Sequence, residues 1–184
     1  MEQNNYLYNQ NAITVWFTGL SGAGKTTLAE ILWHKLVSLG FVACMLDGDI
    51  LRKGLNKNLG YSETDRIENI RRVAELSKLL NRQGIISLNA FISPTNQLRD
   101  MARDIIGSEK FFLFYVNASV DVCEKRNPKG LYEKARKGEI PDFTGISAPF
   151  EAPVLPDLEI DTVNKSIDEC VVLLMNVVLP KVKK

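Results

Sequence analysis

The chain has 184 residues, which suits one domain with a sizeable core. Apolar residues make up 45% and charged residues 24%, and the formal net charge is +1. That balance gives no global field to draw the chain onto nucleic acid or an acidic membrane, so any anionic ligand must be held by local groups.

No apolar run approaches the length of a membrane span. Residues 1–11 are polar and Asn-rich and lack the basic start and apolar stretch of a signal peptide. Cys44, Cys123 and Cys170 are far apart and odd in number, unlike a disulfide framework or a zinc site. Each lies among apolar neighbours, so buried free thiols are expected, and with them a cytoplasmic location. The lone histidine, His34, falls within a helical pattern and reads as packing or surface.

Taken in order, residues 1–11 read as a loose tail. Residues 13–18 are rich in β-branched and aromatic side chains and read as a strand. It runs into Gly19-Leu20-Ser21-Gly22-Ala23-Gly24-Lys25-Thr26, which fits the phosphate-loop pattern G-x-x-x-x-G-K-[ST] at every fixed position. Residues 27–39 place Leu28, Ile31, Leu32, Leu36 and Leu39 at helical spacing, and Gly40 ends that helix. A second strand over 42–46 leads into Asp47-Gly48-Asp49. Residues 50–61 read as irregular, with Gly54 and Gly60 as breakers.

Ser62 to Asp65 resembles a capping box, and a helix should follow to about Arg82. Residues 85–92 are nearly all apolar and read as a buried central strand. A helix over 96–106, a strand over 111–116 and a helix over 120–126 come next. Residues 127–153 carry Pro128, Gly130, Gly138, Pro141, Gly145, Pro149 and Pro153 with basic residues between. They read as a lid with a helix over 131–137. A short strand over 158–160 and a helix over 167–178 close the chain.

Alternating strands and helices imply an α/β fold: a single domain over residues 1–184, with a three-layer parallel sheet flanked by helices on both faces. Ligands on such sheets bind at the carboxyl ends of the strands, which directs attention to residues 19–26, 47–52, 93–94 and 117–119. In the phosphate loop, glycines let successive N–H groups converge on one anion, and the helix start adds its unpaired donors. Lys25 can reach the β- and γ-phosphates of a nucleotide, and the Thr26 hydroxyl can sit on Mg²⁺. The motif indicates a nucleoside triphosphate but not what receives its phosphate.

Asp47 and Asp49 follow the second strand. In an extended chain both side chains would share one face, beside the phosphate loop. Asp49 is the choice for orienting an acceptor hydroxyl or holding a Mg²⁺-bound water; Asp47 can do the same, and an ordinary Asp-Gly turn explains the pair equally well. Arg52 lies on the same loop, Arg66 and Asn69 share a helix face, and Tyr61 precedes that helix. Three donors and a ring suit a planar, anionic acceptor.

With these residues assembled, the chain resembles the adenylylsulfate kinase (APS kinase) family over about residues 13–178. The matching stretches are Trp16-Phe17-Thr18 running through the phosphate loop to Thr27, Leu46-Asp47-Gly48-Asp49-Ile50-Leu51-Arg52, and Gly54 to Ser62. The most specific are Asp65-Arg66-Ile67-Glu68-Asn69-Ile70-Arg71-Arg72 and Phe143-Thr144-Gly145-Ile146. Phe91-Ile92-Ser93-Pro94, Pro128-Lys129-Gly130-Leu131-Tyr132 and Glu151-Ala152-Pro153 also match.

The resemblance implies a phosphate-loop nucleoside triphosphate kinase fold. The implied activity is transfer of the ATP γ-phosphate to the 3′-hydroxyl of adenosine 5′-phosphosulfate, in sulfate activation. It implies ATP binding by residues 19–27, with Arg126 beside the adenine, and acceptor binding by Asp47, Arg52, Tyr61, Arg66, Asn69, Ile92, Lys129 and Phe143. Lys25 and Asp49 would be catalytic, with Thr26 and Asp49 (directly or through water) on Mg²⁺. Ser93 matches the position the family marks as a phosphoserine, although direct in-line transfer needs no such intermediate.

A stand-alone homodimeric kinase is expected, without a nucleic-acid or membrane partner. Tyr61 departs from the usual phenylalanine, and Asn127 from a common aspartate. The competing readings are a kinase of this fold for a sugar acid or shikimate-like acceptor, and a non-catalytic nucleotide-sensing domain. Intact Lys25 and Thr26 disfavour the second.

Overall fold

The computed structural model describes residues 8–126 and 130–184. Expectations for residues 1–7 and for Asn127, Pro128 and Lys129 therefore lie outside the described residues. The described residues form a five-stranded sheet with strand order β2-β3-β1-β4-β5 and all pairings parallel. The strands are β1 (Thr14–Thr18), β2 (Ala43–Asp47), β3 (Ile86–Ala90), β4 (Phe111–Asn117) and β5 (Leu158–Asp161). The helices are α1 (Lys25–Ser38), α2 (Gly48–Lys53), α3 (Glu63–Arg82), α4 (Asn96–Ile106), α5 (Val120–Arg126), α6 (Leu131–Arg136) and α7 (Ile167–Val182).

Alternation along β1 divides the core. Val15 and Phe17 join Leu28, Leu32 and Leu36 of α1 and Leu174 and Val178 of α7 on one face. Trp16 joins Ile70, Val73 and Ala74 of α3 and Leu98 and Ala102 of α4 on the other. A strand buried on both faces reads as a continuous apolar run rather than an alternating one, which is why β1 is buried at all five positions.

β3 is also wholly buried although it carries Ser87 and Asn89. The Asn89 amide donates to Ser77 Oγ of α3 at 2.7 Å, and the Ser87 hydroxyl donates to Asn89 Oδ1 at 2.6 Å, so neither polar group is left without a partner.

Several features differ from expectation. Residues 50–61 are not wholly irregular, because Asp47 caps α2 by accepting from the Asp49 and Ile50 amides; the helix ends at Gly54 before the irregular stretch begins. The last helix continues past residue 178 to Val182, through Pro180. Buried Val178 and Val182 hold its end to the core. Within the stretch expected to be loose, Gln10 is 2% exposed. Its amide donates to the Val42 and Gly84 carbonyls, and its side-chain oxygen accepts from Val42 N. Cys123 and Cys170 are buried as expected, but Cys44 is half-buried.

Candidate active site

The phosphate loop leaves β1 at Gly19, where φ is +148° and an added Cβ would lie 2.4 Å from the Val116 carbonyl oxygen. Only glycine fits there without moving β4. The Leu20 and Ala23 side chains are buried in the core, which leaves their backbone to form the loop. The Lys25 ammonium donates to the carbonyls of Gly19 at 2.9 Å and Leu20 at 2.8 Å. Its burial lowers its pKa from 10.5 to about 8, although Asp47 and Asp49 nearby oppose the shift.

Asp47 organises the next layer. One carboxylate oxygen accepts from the Asp49 amide at 2.8 Å and caps α2; the other accepts from the Thr26 hydroxyl at 2.8 Å. The expectation of an extended Asp47-Gly48-Asp49 pair fails because the chain turns helical at Gly48. Asp47 is thereby the carboxylate set against the loop threonine, while Asp49 sits in the first turn of α2.

The acceptor-side candidates are each held by side-chain contacts. The Arg52 guanidinium carbon lies 4.3 Å from the centroid of the Tyr61 ring, and its Nη1 donates to the Leu59 and Gly60 carbonyls. Tyr61 is 60% exposed, so its ring is available for further stacking. Asn69 is buried and its side-chain oxygen accepts from the Asn56 amide at 2.9 Å. Arg66 donates to Tyr61 O at 2.8 Å, to Thr144 Oγ1 at 2.7 Å and to Asp142 O. It thus ties α3 to the segment that carries Phe143. Phe143 packs edge-on against Tyr132 with ring centroids 5.0 Å apart.

Ile92 and Ser93 lie beyond β3. The Ile92 carbonyl accepts from Thr18 Oγ1 at 2.6 Å. Ser93 is 2% exposed and has φ of +38°. Its hydroxyl accepts from Trp16 Nε1 and donates to Thr18 Oγ1, each at 3.1 Å.

Arg126 reaches across the back of the loop to the carbonyls of Gly22 at 3.2 Å and Thr162 at 2.7 Å. The Tyr132 hydroxyl donates to Ser21 O and the Thr162 hydroxyl to Ala23 O, so α5, α6 and the residue after β5 brace the phosphate loop. Thr27 is exposed in the first turn of α1. Lys129 lies outside the described residues.

Asn56, Thr144 and Thr162 were not singled out from the sequence as site residues. Asn56 and Thr144 stand inside the motif stretches that carry the resemblance, but their partners are 13 and 78 residues away.

The profile of the adenylylsulphate kinase family matches residues 11–161. The chain belongs to this family. A relative from Bacteroides thetaiotaomicron, named adenylyl-sulfate kinase, is 53% identical over 183 residues, covering 100% of this chain and 91% of the relative. Among solved structures, the Mycobacterium tuberculosis APS kinase CysC, in complex with AMPPNP and APS, is 43% identical with a TM-score of 0.88. That match covers 92% of this chain and 98% of the other. A gluconokinase from Sinorhizobium meliloti, 15% identical with a TM-score of 0.61 over 92% of this chain and 93% of its own, shares the fold alone. Family membership accords with an intact phosphate loop at the carboxyl end of β1. Among the described residues, no helix is long and apolar enough to cross a membrane.

Proposed function

We propose that this chain transfers the γ-phosphate of ATP to the 3′-hydroxyl of adenosine 5′-phosphosulfate, giving 3′-phosphoadenosine 5′-phosphosulfate. The observation that carries the reading is a chain of contacts from the phosphate loop: Thr26 donates to Asp47, Asp47 caps the helix that carries Arg52, Arg52 lies against the Tyr61 ring, and Tyr61 O accepts from Arg66. The M. tuberculosis relative, solved with AMPPNP and APS, supports this choice of substrates.

Phosphoryl transfer through a loose transition state asks the protein for positioning and charge compensation more than covalent chemistry. Lys25 would leave its two loop carbonyls for the β- and γ-phosphate oxygens. The loop amides and the start of α1 would hold the same anion. Arg52 and Arg66 would fork onto the phosphosulfate, and Tyr61 and Phe143 would flank the base. Asp47 and Asp49 act on the charge of Lys25, and either carboxylate would orient the incoming hydroxyl.

The Thr26 hydroxyl and the Asp47 carboxylate form a hard-oxygen pair that fits Mg²⁺, an ion that takes few protein ligands and keeps its remaining positions for water and phosphate. When bound, Mg²⁺ would neutralise charge on the β- and γ-phosphates.

The test is phosphate transfer from Mg-ATP to adenosine 5′-phosphosulfate, with AMP, shikimate and gluconate as alternative acceptors. Turnover of the phosphosulfate alone, lost in Lys25→Ala, is the expected result. Preferential turnover of a sugar acid, or nucleotide binding without any transfer, would overturn the reading.

A further inference from the structure

Arg99 is a large charged side chain that is 1% exposed and lies outside the residues assigned so far. Burying an arginine is unfavourable unless its donors find partners; here Nη1 and Nη2 do and Nε does not. Its Nη1 donates to Ser93 O at 2.7 Å; its Nη2 donates to Asn96 Oδ1 at 2.8 Å and Glu151 O at 2.7 Å. Glu151 returns the contact in two ways. Its amide donates to Pro94 O at 2.8 Å. Its carboxylate accepts from the Asn96 amide at 2.7 Å and from the Asn96 side chain at 3.1 Å. A carboxylate held against the N-terminus of α4 is also favoured by the helix dipole. Arg99, Asn96 and Glu151 therefore close a ring between the turn after β3 and the segment that leaves the lid.

Both ends of that ring lead to the acceptor side. Ile92, two residues before Pro94, is held to β1 by Thr18. On the lid side, the amides of Ile146, Ser147 and Ala148 all donate to Phe143 O at 3.0–3.1 Å, so residues 143–148 form one tight turn. Three residues past that turn, Glu151 is clamped. At the turn's start, buried Thr144 accepts from Arg66, and Phe143 sits beside it. Moving Glu151 would move the piece of chain that carries Phe143 and holds Arg66. Arg126 and Thr162 brace the phosphate loop away from this turn, while Tyr132, which donates to Ser21 O, packs against Phe143.

We propose that Arg99 and Glu151 are positioning residues for the acceptor site: their ring sets the distance between the turn after β3 and the lid segment that carries Phe143 and Thr144. This rests on the acceptor assignment made above. The latch acts on acceptor binding far more than on ATP binding, because the turn reaches the phosphate loop only through packing on Tyr132 and Leu20.

The test measures KM for adenosine 5′-phosphosulfate and, by equilibrium titration, Kd for ATP, in the full chain and in Glu151→Ala, Glu151→Gln and Arg99→Lys. Displacement of a substrate-positioning element by about 1 Å is worth up to ~100-fold. Glu151→Ala should raise the acceptor KM about tenfold and leave the ATP Kd within about twofold. Glu151→Gln, whose side-chain oxygen still accepts from Asn96, should recover most of the loss. Arg99→Lys, with a single ammonium in place of a planar fork, should shift KM in the same direction.

Glu151 is exposed, so its variants remain informative if the buried Arg99 variant misfolds. Equal loss of both substrates, or lowered thermal stability with KM unchanged, would overturn the latch. Absence of phosphosulfate turnover in the wild type would instead reject the acceptor assignment, and the latch with it.

Discussion

The Thr26 hydroxyl donates to Asp47 Oδ2 at 2.8 Å while Asp47 Oδ1 accepts from the amides of Asp49 and Ile50. One carboxylate thus caps a helix and addresses the phosphate loop. The two jobs separate by substitution. Asparagine is as good an N-cap as aspartate but has lost the negative charge. Asp47→Asn should keep stability in urea within ~0.5 kcal/mol, while turnover falls by at least ~100-fold, as expected when a group acting in the transition state is removed. Asp47→Ala should lose turnover and also ~1 kcal/mol of stability. Equal stability of the two variants would show that the cap contributes nothing.

Ser93 stands at the position expected from the family to carry a phosphate. Its hydroxyl is engaged with Trp16 and Thr18 at 2% exposure, a setting for a strut rather than a phosphate acceptor. Ser93→Ala should retain turnover within a few-fold. It should destabilise the protein by ~1–2 kcal/mol, since Trp16 Nε1 loses its partner in a buried place. Rapid-quench labelling with γ-³²P-ATP checks the point directly: a phosphoprotein formed and consumed at the rate of turnover would show that Ser93 is reached after all.

Tyr61 carries Arg52 against its ring at 4.3 Å and is otherwise exposed. Stacking of a base on an aromatic ring is worth ~1–3 kcal/mol by alanine substitution. Tyr61→Ala should therefore raise the acceptor KM by about 5- to 150-fold. The exposed ring needs no hydroxyl to stack, so Tyr61→Phe should be nearly silent. A Phe variant as impaired as the Ala variant would assign the effect to the hydroxyl instead of the ring.

What could be read from the sequence divides along locality. Helices α4 and α5 match the expected residues 96–106 and 120–126, and Ser62 caps α3 as expected, because cap and apolar spacing both lie within the segment. α2 was hidden by Gly54 and Gly60. Its start depends on the Asp47 side chain folding forward, and the same residue reads equally well as a turn. The phosphate loop was fully legible, since its pattern is contiguous. Which aspartate meets Thr26 was not, because that depends on how a strand edge turns into a helix. The Arg66–Thr144 contact spans 78 residues and the Arg99–Glu151 contact 52. Neither leaves a trace in local periodicity.

Lys25 makes the site sensitive to pH. Burial holds its pKa at about 8 in the free protein, below its ordinary 10.5, so it gives up its proton as pH rises through 8. Between pH 8 and 10.5 the unfolded chain retains a proton the folded chain has lost, and the Lys25 contribution to stability rises with pH across that window. Nucleotide binding has the opposite sign. Phosphate oxygens favour the charged ammonium and raise its pKa again, so above pH 8 binding must take up a proton. Affinity for ATP should then fall with rising pH, approaching tenfold per unit, with no such slope from Lys25 below about pH 7. Titration calorimetry in two buffers of different ionisation enthalpy measures that uptake: close to one proton at pH 9 and near zero at pH 7. Lys25→Ala should bind more weakly throughout and lose the uptake at pH 9. If the uptake persists in the variant, another group carries the pH dependence and Lys25 keeps its proton in the free loop at pH 9.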